Sequence, residues 1–377
     1  MKKRRSKKKK MTRKKTTKRN NQMNKKQQIK SILAAINKEW QKHWLWYLIG
    51  GLALCVILFV YSFRAVMPFP TLPQIVSDAT KEPEVVFRHP LTGEKSASEI
   101  VRPRVFGVMV ENSADAWPIS GVEDAFLVIE APVEANIPRL EAFYFDGQPA
   151  VEKIGPVRSA RPYYLDWAQE LDAIYAHCGG SPEALNLIAS GDILDLNEFW
   201  NSQYFWRSPG RFAPHNVYTS TELLNLVLAN REETSKIDYG LWNFKDDSPA
   251  ENPSNADLII EDGFAYKTEW RYDATVNNYT RWQNGNEVKS EDGDSILANN
   301  VAVVYTPISI LDSIGRREVE TVGEGEALVF QDGRKITAVW EKKSADERLR
   351  FYAEDGKEII WNAGVTWIEV VSTTTIK

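Results

Sequence analysis

The sequence predicts an α+β protein: an N-terminal α/β-type layered domain and then a mostly antiparallel β domain, preceded by a single transmembrane helix and a disordered basic tail. Three observations support this prediction. An uncharged apolar run follows a basic N-terminus, strand-like and helix-like patterns alternate in mid-chain, and turn dipeptides recur between β-forming segments near the end. The predicted boundaries are 1–42 for the tail, 43–64 for the membrane helix, 65–86 for a stalk, 87–245 for the α/β domain, 246–256 for a linker and 257–377 for the β domain.

The tail carries most of the positive charge of the chain. Residues 1–42 contain 18 Lys and Arg but one acid, Glu39, so their net charge is +17, and because the whole chain carries −4 the remainder carries −21. The tail has no apolar periodicity, which predicts disorder. Basic residues beside a membrane are attracted to anionic lipid, which is the partner we expect. The alternative is a nucleic-acid arm, although such charge binds phosphate backbones without specificity.

The segment from Trp44 to Phe63 contains 20 residues and no charge, close to the ~20 residues that cross a ~30 Å hydrocarbon core. The positive-inside rule places the N-terminus in the cytoplasm and the residues after Arg64 outside the plasma membrane. A cleaved signal sequence, lipidation at Cys55 and a buried core helix are the alternatives. The apolar run is longer than a signal core, and Leu54 replaces the small residue expected before a lipidated cysteine. Proline-spaced residues then predict the extended stalk.

The α/β domain is predicted from alternating strands and helices. The segments "RVFGVMVEN", "AFLVIEA" and "RLEAFYF" resemble buried strands. A helix beginning at Pro162, the strand "AIYAH" and the helix "SPEALNLIAS" follow, and a final helix opens with a capping box from Thr219 to Glu222. The β domain is predicted from hairpin signals. These are the dipeptides Asn284-Gly285, Asp292-Gly293, Asp332-Gly333 and Asp355-Gly356.

Cysteine and histidine usage excludes several kinds of site. Cys55 lies in the predicted span, which leaves Cys178 as the only cysteine outside it, so no internal disulfide is expected there. The histidines outside the span, His89, His177 and His215, show no metal-ligand spacing. We therefore expect neither a metal nor a cofactor.

The segment "AIYAHCGGSPEAL", residues 173–185, contains the first candidate site. Ser181-Pro182-Glu183 is a typical helix start, which indicates that Ser181 is a cap rather than a nucleophile. The preceding Gly179-Gly180 loop would then present backbone N–H groups at the positive end of a helix dipole, an arrangement that binds anions.

Arginines in three acid-free windows indicate the same chemistry. Residues 153–165, 173–182 and 199–221 contain no Asp or Glu in an otherwise acidic domain. Guanidinium groups bind carboxylate or phosphate through a planar fork. We therefore predict that these windows form an anion-binding surface. The alternative is that the arginines pair with acids elsewhere in the fold. The predicted ligand-binding residues are Arg158, Arg161, Gly179, Gly180, Arg207, Arg211 and Asn216.

Two functional classes remain open from the residues alone. The first is a binding protein for an anionic envelope ligand: a peptidoglycan stem carboxylate, a teichoic-type phosphate or an acidic peptide. The second is an envelope hydrolase or transferase in which His177 or His215 acts as general acid or base and the arginines stabilise negative charge. Whether the protein is an enzyme therefore stays open.

Several long motifs resemble the YerB-like lipoprotein family of bacteria. They are "IGPVRSARPYYLDWA", "HCGGSPEAL", "YFWRSPGRFAPHNVYTS", "GEGEALVFQDGRKITAVWEKKS" and "NAGVTWIEVV", and the resemblance covers nearly everything from Phe87 onward. It implies an N-terminal and a C-terminal domain in the cell envelope and implies no activity. The chain departs from the family at the anchor, where an apolar span replaces a lipidated cysteine, and at Cys178, where we expect a small or apolar residue.

Overall fold

The structure is a computed structural model that describes residues 3–66, 86–191, 193–231, 237–253, 256–261 and 264–373. The chain divides into two compact units, Met1–Glu84 and Val85–Lys377. The predicted stalk lies almost wholly outside the described residues. Each unit is described by itself.

Helices α1 to α4 are Lys3–Val66, Pro162–Gln169, Pro182–Ser190 and Thr221–Arg231. Strands β1 to β9 are Phe87–Arg88, Lys95–Ser96, Val105–Glu111, Leu127–Pro132, Pro138–Phe145, Ile174–His177, Leu194–Asn197, Trp206–Arg207 and Val217–Tyr218. Strands β10 to β16 are Asn243–Lys245, Leu258–Ile260, Thr268–Asp273, Asn278–Gln283, Asn286–Glu287, Leu297–Ala298 and Asn300–Thr306. Strands β17 to β23 are Ile308–Ile310, Arg317–Val319, Gly323–Gln331, Arg334–Lys342, Arg350–Ala353, Ile360–Asn362 and Thr366–Ser372.

The first unit contains helix α1. The tail is helical from Lys3 onward, whereas the sequence predicted disorder. Between Lys3 and Trp46 there is neither Gly nor Pro, and Lys, Arg and Gln are good helix formers, so propensity sustains a helix that lacks an apolar face. Within the described residues, no helix is by itself long and apolar enough for a membrane span. Two arms, Lys25–Trp46 and Leu48–Ser62, meet that criterion only as a pair bent by 51°.

The second unit is built on one ten-stranded mixed sheet with the order β21-β20-β19-β16-β23-β4-β5-β3-β6-β7. Strands from both predicted domains enter this sheet. The two halves meet where β23 pairs in parallel with β4, from Thr366 opposite Leu127 to Glu369 opposite Glu130. The predicted boundary at 246–256 therefore does not interrupt the sheet. Hairpin signals report pairing between neighbouring segments, whereas this contact joins strands more than two hundred residues apart.

Each face of the large sheet is covered by its own hydrophobic core. On one face, Tyr164 and Trp167 of α2 pack with Ile129 and Phe143 of the sheet. On the other face lies the smaller sheet β11-β12-β13-β14, in which β15 pairs with β13. Its Trp270 and Tyr279 share a core with Trp367 and Val301 of the large sheet. Fully burying a large apolar side chain contributes roughly 1.5–3 kcal/mol, so both cores stabilise the three-layered α+β fold.

Local signals in the sequence place the starts of α2 and α3 correctly. Helix α2 begins at Pro162, and Ser181 Oγ accepts a hydrogen bond from Ala184 N at the start of α3. The predicted capping box of α4 is wrong by one residue. Ser220, not Thr219, accepts from the N–H of Leu223, because Thr219 is held in an extended pairing with Ile154 and its hydroxyl donates to the Tyr204 carbonyl.

Two of the predicted hairpins have two-residue turns. Asn284-Gly285 connects β13 to β14 and Asp332-Gly333 connects β19 to β20, with positive φ at all four residues. This is the conformation that Asn-Gly and Asp-Gly favour. The hairpin predictions at these two positions are confirmed.

Candidate functional site

The candidate site lies at the carboxyl edge of the parallel strands β3, β6 and β7. Glu111 ends β3, Cys178 follows β6, and Glu198 follows β7. The connection 198–218, which contains the β8–β9 hairpin, contributes Arg207, His215 and Asn216 to the same edge. Ligand sites of α/β sheets commonly lie at such an edge.

The segment 158–161 lies directly beside the loop 178–181, as expected from the sequence. Cys178 N donates to Arg158 O at 3.0 Å, Ala160 N donates to Gly179 O at 2.9 Å, and Ser181 N donates to Ala160 O at 3.2 Å. The two stretches therefore form a short parallel pairing, and their backbone groups are largely satisfied by each other.

The Gly179-Gly180 loop is built for packing and leaves few donors for an anion. Gly179 N donates to Asn197 Oδ1 at 3.1 Å. Gly179 has φ +66°, and a Cβ at this position would lie 2.9 Å from the Phe199 ring; a Cβ on Gly180 would lie 3.1 Å from Leu185. Gly179 is thus favoured by its positive φ and by the close Phe199 ring, whereas a Cβ on Gly180 would need only a small shift of the Leu185 side chain. The structure does not show the predicted array of free N–H groups.

Each predicted arginine already has a partner from outside its acid-free window. Arg158 Nε lies 3.3 Å from Glu111 Oε2. Arg161 makes a bidentate pair with Glu134, at 3.0 and 2.8 Å. Arg207 Nη2 donates to both oxygens of Glu198, at 3.0 and 3.1 Å.

Arg211 instead donates to two backbone carbonyls, those of Ala116 and Pro118, each at 2.5 Å. The alternative that the arginines pair with acids elsewhere in the fold therefore describes Arg158, Arg161 and Arg207 but not Arg211. Arg161 makes this contact at the β4–β5 connection, which lies at the same edge of the sheet because Pro132 pairs with Pro138 beside the end of β3. Burial raises the pKa of Glu134, but hydrogen bonds and charge from Arg161 outweigh it and hold that pKa below its ordinary value.

The two candidate histidines differ in accessibility. His177 is fully buried; its Nδ1 lies 2.7 Å from Gly179 O, and its Nε2 lies 2.7 Å from Asp195 Oδ1. Both ring nitrogens therefore lie against oxygen atoms of the fold itself. This geometry leaves neither nitrogen for proton exchange with a ligand. The hypothesis that His177 acts as an acid or base is therefore not supported by its position.

His215 has the geometry that acid–base chemistry requires. Its side chain is 24% exposed, and its Nδ1 lies 2.8 Å from Glu111 Oε2. Its Nε2 has no hydrogen-bond partner among the described residues. Glu111 also accepts from Ser113 Oγ at 2.7 Å and faces Arg158. A carboxylate that orients an imidazole leaves the second ring nitrogen available to a ligand.

Cys178 is not a nucleophile in this arrangement. Its Sγ lies 3.5 Å from Glu198 Oε2. Burial, together with the charge of Glu198, raises the pKa of the Cys178 thiol to about 11. A thiol with that pKa stays protonated near neutral pH and lacks the thiolate that reacts.

Exposed aromatic side chains surround this edge, and sequence reasoning missed them. Phe199, Trp200 and Phe212 are 60%, 80% and 92% exposed. Exposed aromatic rings that cluster beside polar groups are typical of interaction surfaces. The sequence feature that could have predicted them is their position inside the acid-free window 199–221. We call Glu111, Arg158, Phe199, Trp200, Arg207, Phe212, His215 and Asn216 together the edge surface.

The described residues contain no group of three or more His, Cys, Asp or Glu side chains positioned to hold a metal ion. The polar side chains of the edge surface pair with each other instead. Asn216, for example, accepts from Arg207 Nη1 at 3.2 Å.

Comparison with known proteins identifies two family domains. Residues 91–235 match the model described as "Protein of unknown function (DUF3048) N-terminal domain", and residues 261–368 match its C-terminal counterpart. A protein of Bacillus subtilis (strain 168) named "Putative lipoprotein YerB" is 31% identical over 302 residues, which cover 78% of this chain and 89% of that protein. The crystal structure of YerB from Bacillus subtilis superposes with a TM-score of 0.67 at 29% identity, covering 76% of this chain and 98% of that structure.

Proposed function

The chain belongs to the YerB-like (DUF3048) family, and from that premise we propose that it is an envelope-associated protein that binds an anionic ligand at the edge surface. The observation that carries this proposal is the convergence of partly exposed polar groups and exposed aromatic rings at the carboxyl edge of β3, β6 and β7. Arg158 and Arg207 are 21% and 44% exposed at the side chain, so a ligand can reach both.

Charge at the edge surface favours a ligand with few negative groups. Arg158 and Arg207 face Glu111 and Glu198, while Arg211 beside them is bound to carbonyls rather than to an acid. The two carboxylates balance the charges of Arg158 and Arg207, and Glu291 interacts with the charge of Arg211, so little net charge remains around the edge surface. Such a surface suits one carboxylate or phosphate attached to an apolar or ring-shaped body, because the body can cover Trp200 and Phe212.

Titration calorimetry with soluble peptidoglycan fragments tests this proposal. Fragments with free stem-peptide carboxylates should bind, and the same fragments after amidation should bind at least tenfold more weakly. Arg207→Ala and Phe212→Ala should each weaken binding at least tenfold, in line with the loss of an interface anchor. Arg334→Ala and Ile314→Ala remove an exposed arginine and an exposed apolar side chain elsewhere, and they should change affinity less than twofold. Equal losses in all four variants would reject the edge surface as the site.

A second candidate function follows from His215. We propose as the alternative that the protein is an envelope hydrolase or transferase in which Glu111 orients His215 and Nε2 takes up a proton from water or substrate. His215→Asn would then abolish turnover of peptidoglycan fragments, detected by mass spectrometry, while binding stays within about threefold. Turnover that is unchanged by His215→Asn would remove this alternative.

We further propose that residues 43–64 anchor the protein, with the N-terminus cytoplasmic and both family domains outside the plasma membrane. The support is the uncharged stretch Trp44–Phe63 between a +17 tail and a −21 remainder. The tail would contact anionic lipid on the cytoplasmic side. Lipidation at Cys55 is the competing anchor. Metabolic labelling with a fatty acid, compared between the native chain and Cys55→Ala, distinguishes the two.

A further inference from the structure

A cleft of about 430 Å³ lies between the strap 117–119 and the β13–β14 hairpin, and none of its lining residues belongs to the edge surface. Its walls include Trp117, Pro118 and Val288, and its rim includes Glu287 and Lys289. We propose that this cleft binds a neutral N-acetylated sugar unit. The proposal does not depend on a ligand at the edge surface.

One wall of the cleft is an indole ring held in place before any ligand arrives. Trp117 is 36% exposed, and its Nε1 donates to Asn112 Oδ1 at 2.8 Å. Its ring lies 5.0 Å from that of Tyr266. Arg211 also donates hydrogen bonds to the carbonyls of Ala116 and Pro118, on both sides of Trp117. These bonds fix the strap. A fixed aromatic face can stack on the C–H face of a sugar ring with little loss of side-chain freedom.

Gln283 supplies an unsatisfied hydrogen-bond donor. Its side chain lines the cleft and is 5% exposed, and its Nε2 has no hydrogen-bond partner among the described residues. The amide orientation is set by Arg281, whose Nη2 donates to Gln283 Oε1 at 3.4 Å. An orphaned buried donor costs about 1–3 kcal/mol, so a ligand that brings an acceptor to this position gains specificity.

The charges on the rim select a neutral ligand. Lys289 Nζ lies 3.5 Å from Glu287 Oε1, so the two charges cancel. A ligand that combines a pyranose face, a carbonyl acceptor and a methyl group would meet Trp117, Gln283 and Val288. The acetamido group of an N-acetylhexosamine provides the last two of these together. The cleft volume lies within the range of about 300–1,000 Å³ of small-ligand sites.

Saturation-transfer NMR on the full chain in detergent tests the proposal. The probes are tetra-N-acetylchitotetraose and cellotetraose, β-1,4-linked tetrasaccharides that differ only in the acetamido group. Chitotetraose should bind saturably, with the strongest saturation on its acetyl methyl protons, and cellotetraose should bind at least tenfold more weakly. Gln283→Leu and Trp117→Ala should each weaken chitotetraose binding at least tenfold.

The control is Gln331→Leu, which changes a buried glutamine outside the cleft and should alter affinity less than twofold; thermal unfolding verifies that each variant is folded. If Trp117→Ala does not fold, Gln283→Leu still tests the proposal, because it removes only an unpaired polar group and should leave the fold intact. No saturable binding of chitotetraose, equal binding of cellotetraose, or unchanged binding by Gln283→Leu would each overturn the proposal. Preferential binding of N-acetyl-dialanine amide would assign the cleft to peptides and overturn it as well.

Discussion

Replacing Glu130 by glutamine should change how the stability of this protein depends on pH. Glu130 and Glu369 are both fully buried, and Arg281 bridges them with two hydrogen bonds of 2.9 Å. Glu130 also accepts from Asn112 Nδ2 and from Trp367 Nε1, each at 3.1 Å. One guanidinium cannot neutralise two buried carboxylates, so the cluster favours holding one proton.

The size of the effect follows from the position of that proton. Burial raises the pKa of Glu130 to about 8 from an ordinary 4.5; Arg281 opposes this shift, and the neighbouring Glu369 adds to it. The unfolded chain loses this proton near pH 4.5, whereas the folded protein keeps it until about pH 8. The contribution of protonated Glu130 to the free energy of unfolding is therefore fully present below about pH 4.5. Above that pH it decreases by about 1.4 kcal/mol per pH unit. The loss reaches about 3 kcal/mol by about pH 7.

A glutamine side chain in place of Glu130 cannot titrate, but it also cannot reproduce every hydrogen bond. Its amide nitrogen would face Trp367 Nε1 and leave that N–H unpaired, at a cost of about 1–3 kcal/mol. We expect Glu130→Gln to be less stable than the native chain at pH 5 by that amount. The difference should shrink as pH rises and reverse sign by pH 8.

Urea unfolding at pH 5, 6, 7 and 8, followed by tryptophan fluorescence on the full chain in detergent, measures this difference. Groups that titrate equally in both proteins cancel when the free energies of unfolding are subtracted. Glu326→Gln, at an exposed glutamate, is the control and should differ from the native chain by no more than about 0.5 kcal/mol at each pH. A difference for Glu130→Gln that stays constant from pH 5 to 8 would refute the assignment of a retained proton to Glu130.

Three further predictions concern the cap, the anchor and the tail. Ser181→Ala should lower the free energy of unfolding by roughly 0.5–2 kcal/mol, because Ala184 N loses its acceptor, while ligand affinity stays the same; lost function with unchanged stability would mean that the serine does chemistry. Protease added to spheroplasts should digest the chain after Arg64 and leave the tail protected, and a protected C-terminal domain would contradict the proposed orientation. Shuffling Lys2–Lys15 at constant composition should leave binding to anionic vesicles unchanged, and a large loss would indicate a specific partner.

The sequence determined those features whose physical cause lies within a few neighbouring residues. Ser181 and Pro182 mark the start of α3 because a cap and the first helical residue act on their own turn. Asn284-Gly285 and Asp332-Gly333 mark hairpins because positive φ is a local property. The long motifs identified the family for the same reason, since each is read as a contiguous stretch.

Only the tertiary structure decided which charges meet. Glu111 reaches His215 across 104 residues, and Arg281 lies 151 residues from Glu130. The acid-free windows drew attention to the arginines but could not reveal that Glu111, Glu134 and Glu198 from other segments would pair with them. Composition reports the charges that a segment carries, whereas their partners depend on which loops the parallel pairing of β3, β6 and β7 brings to one edge. That pairing is set by the burial of apolar strands distant in sequence, so no local pattern encodes it.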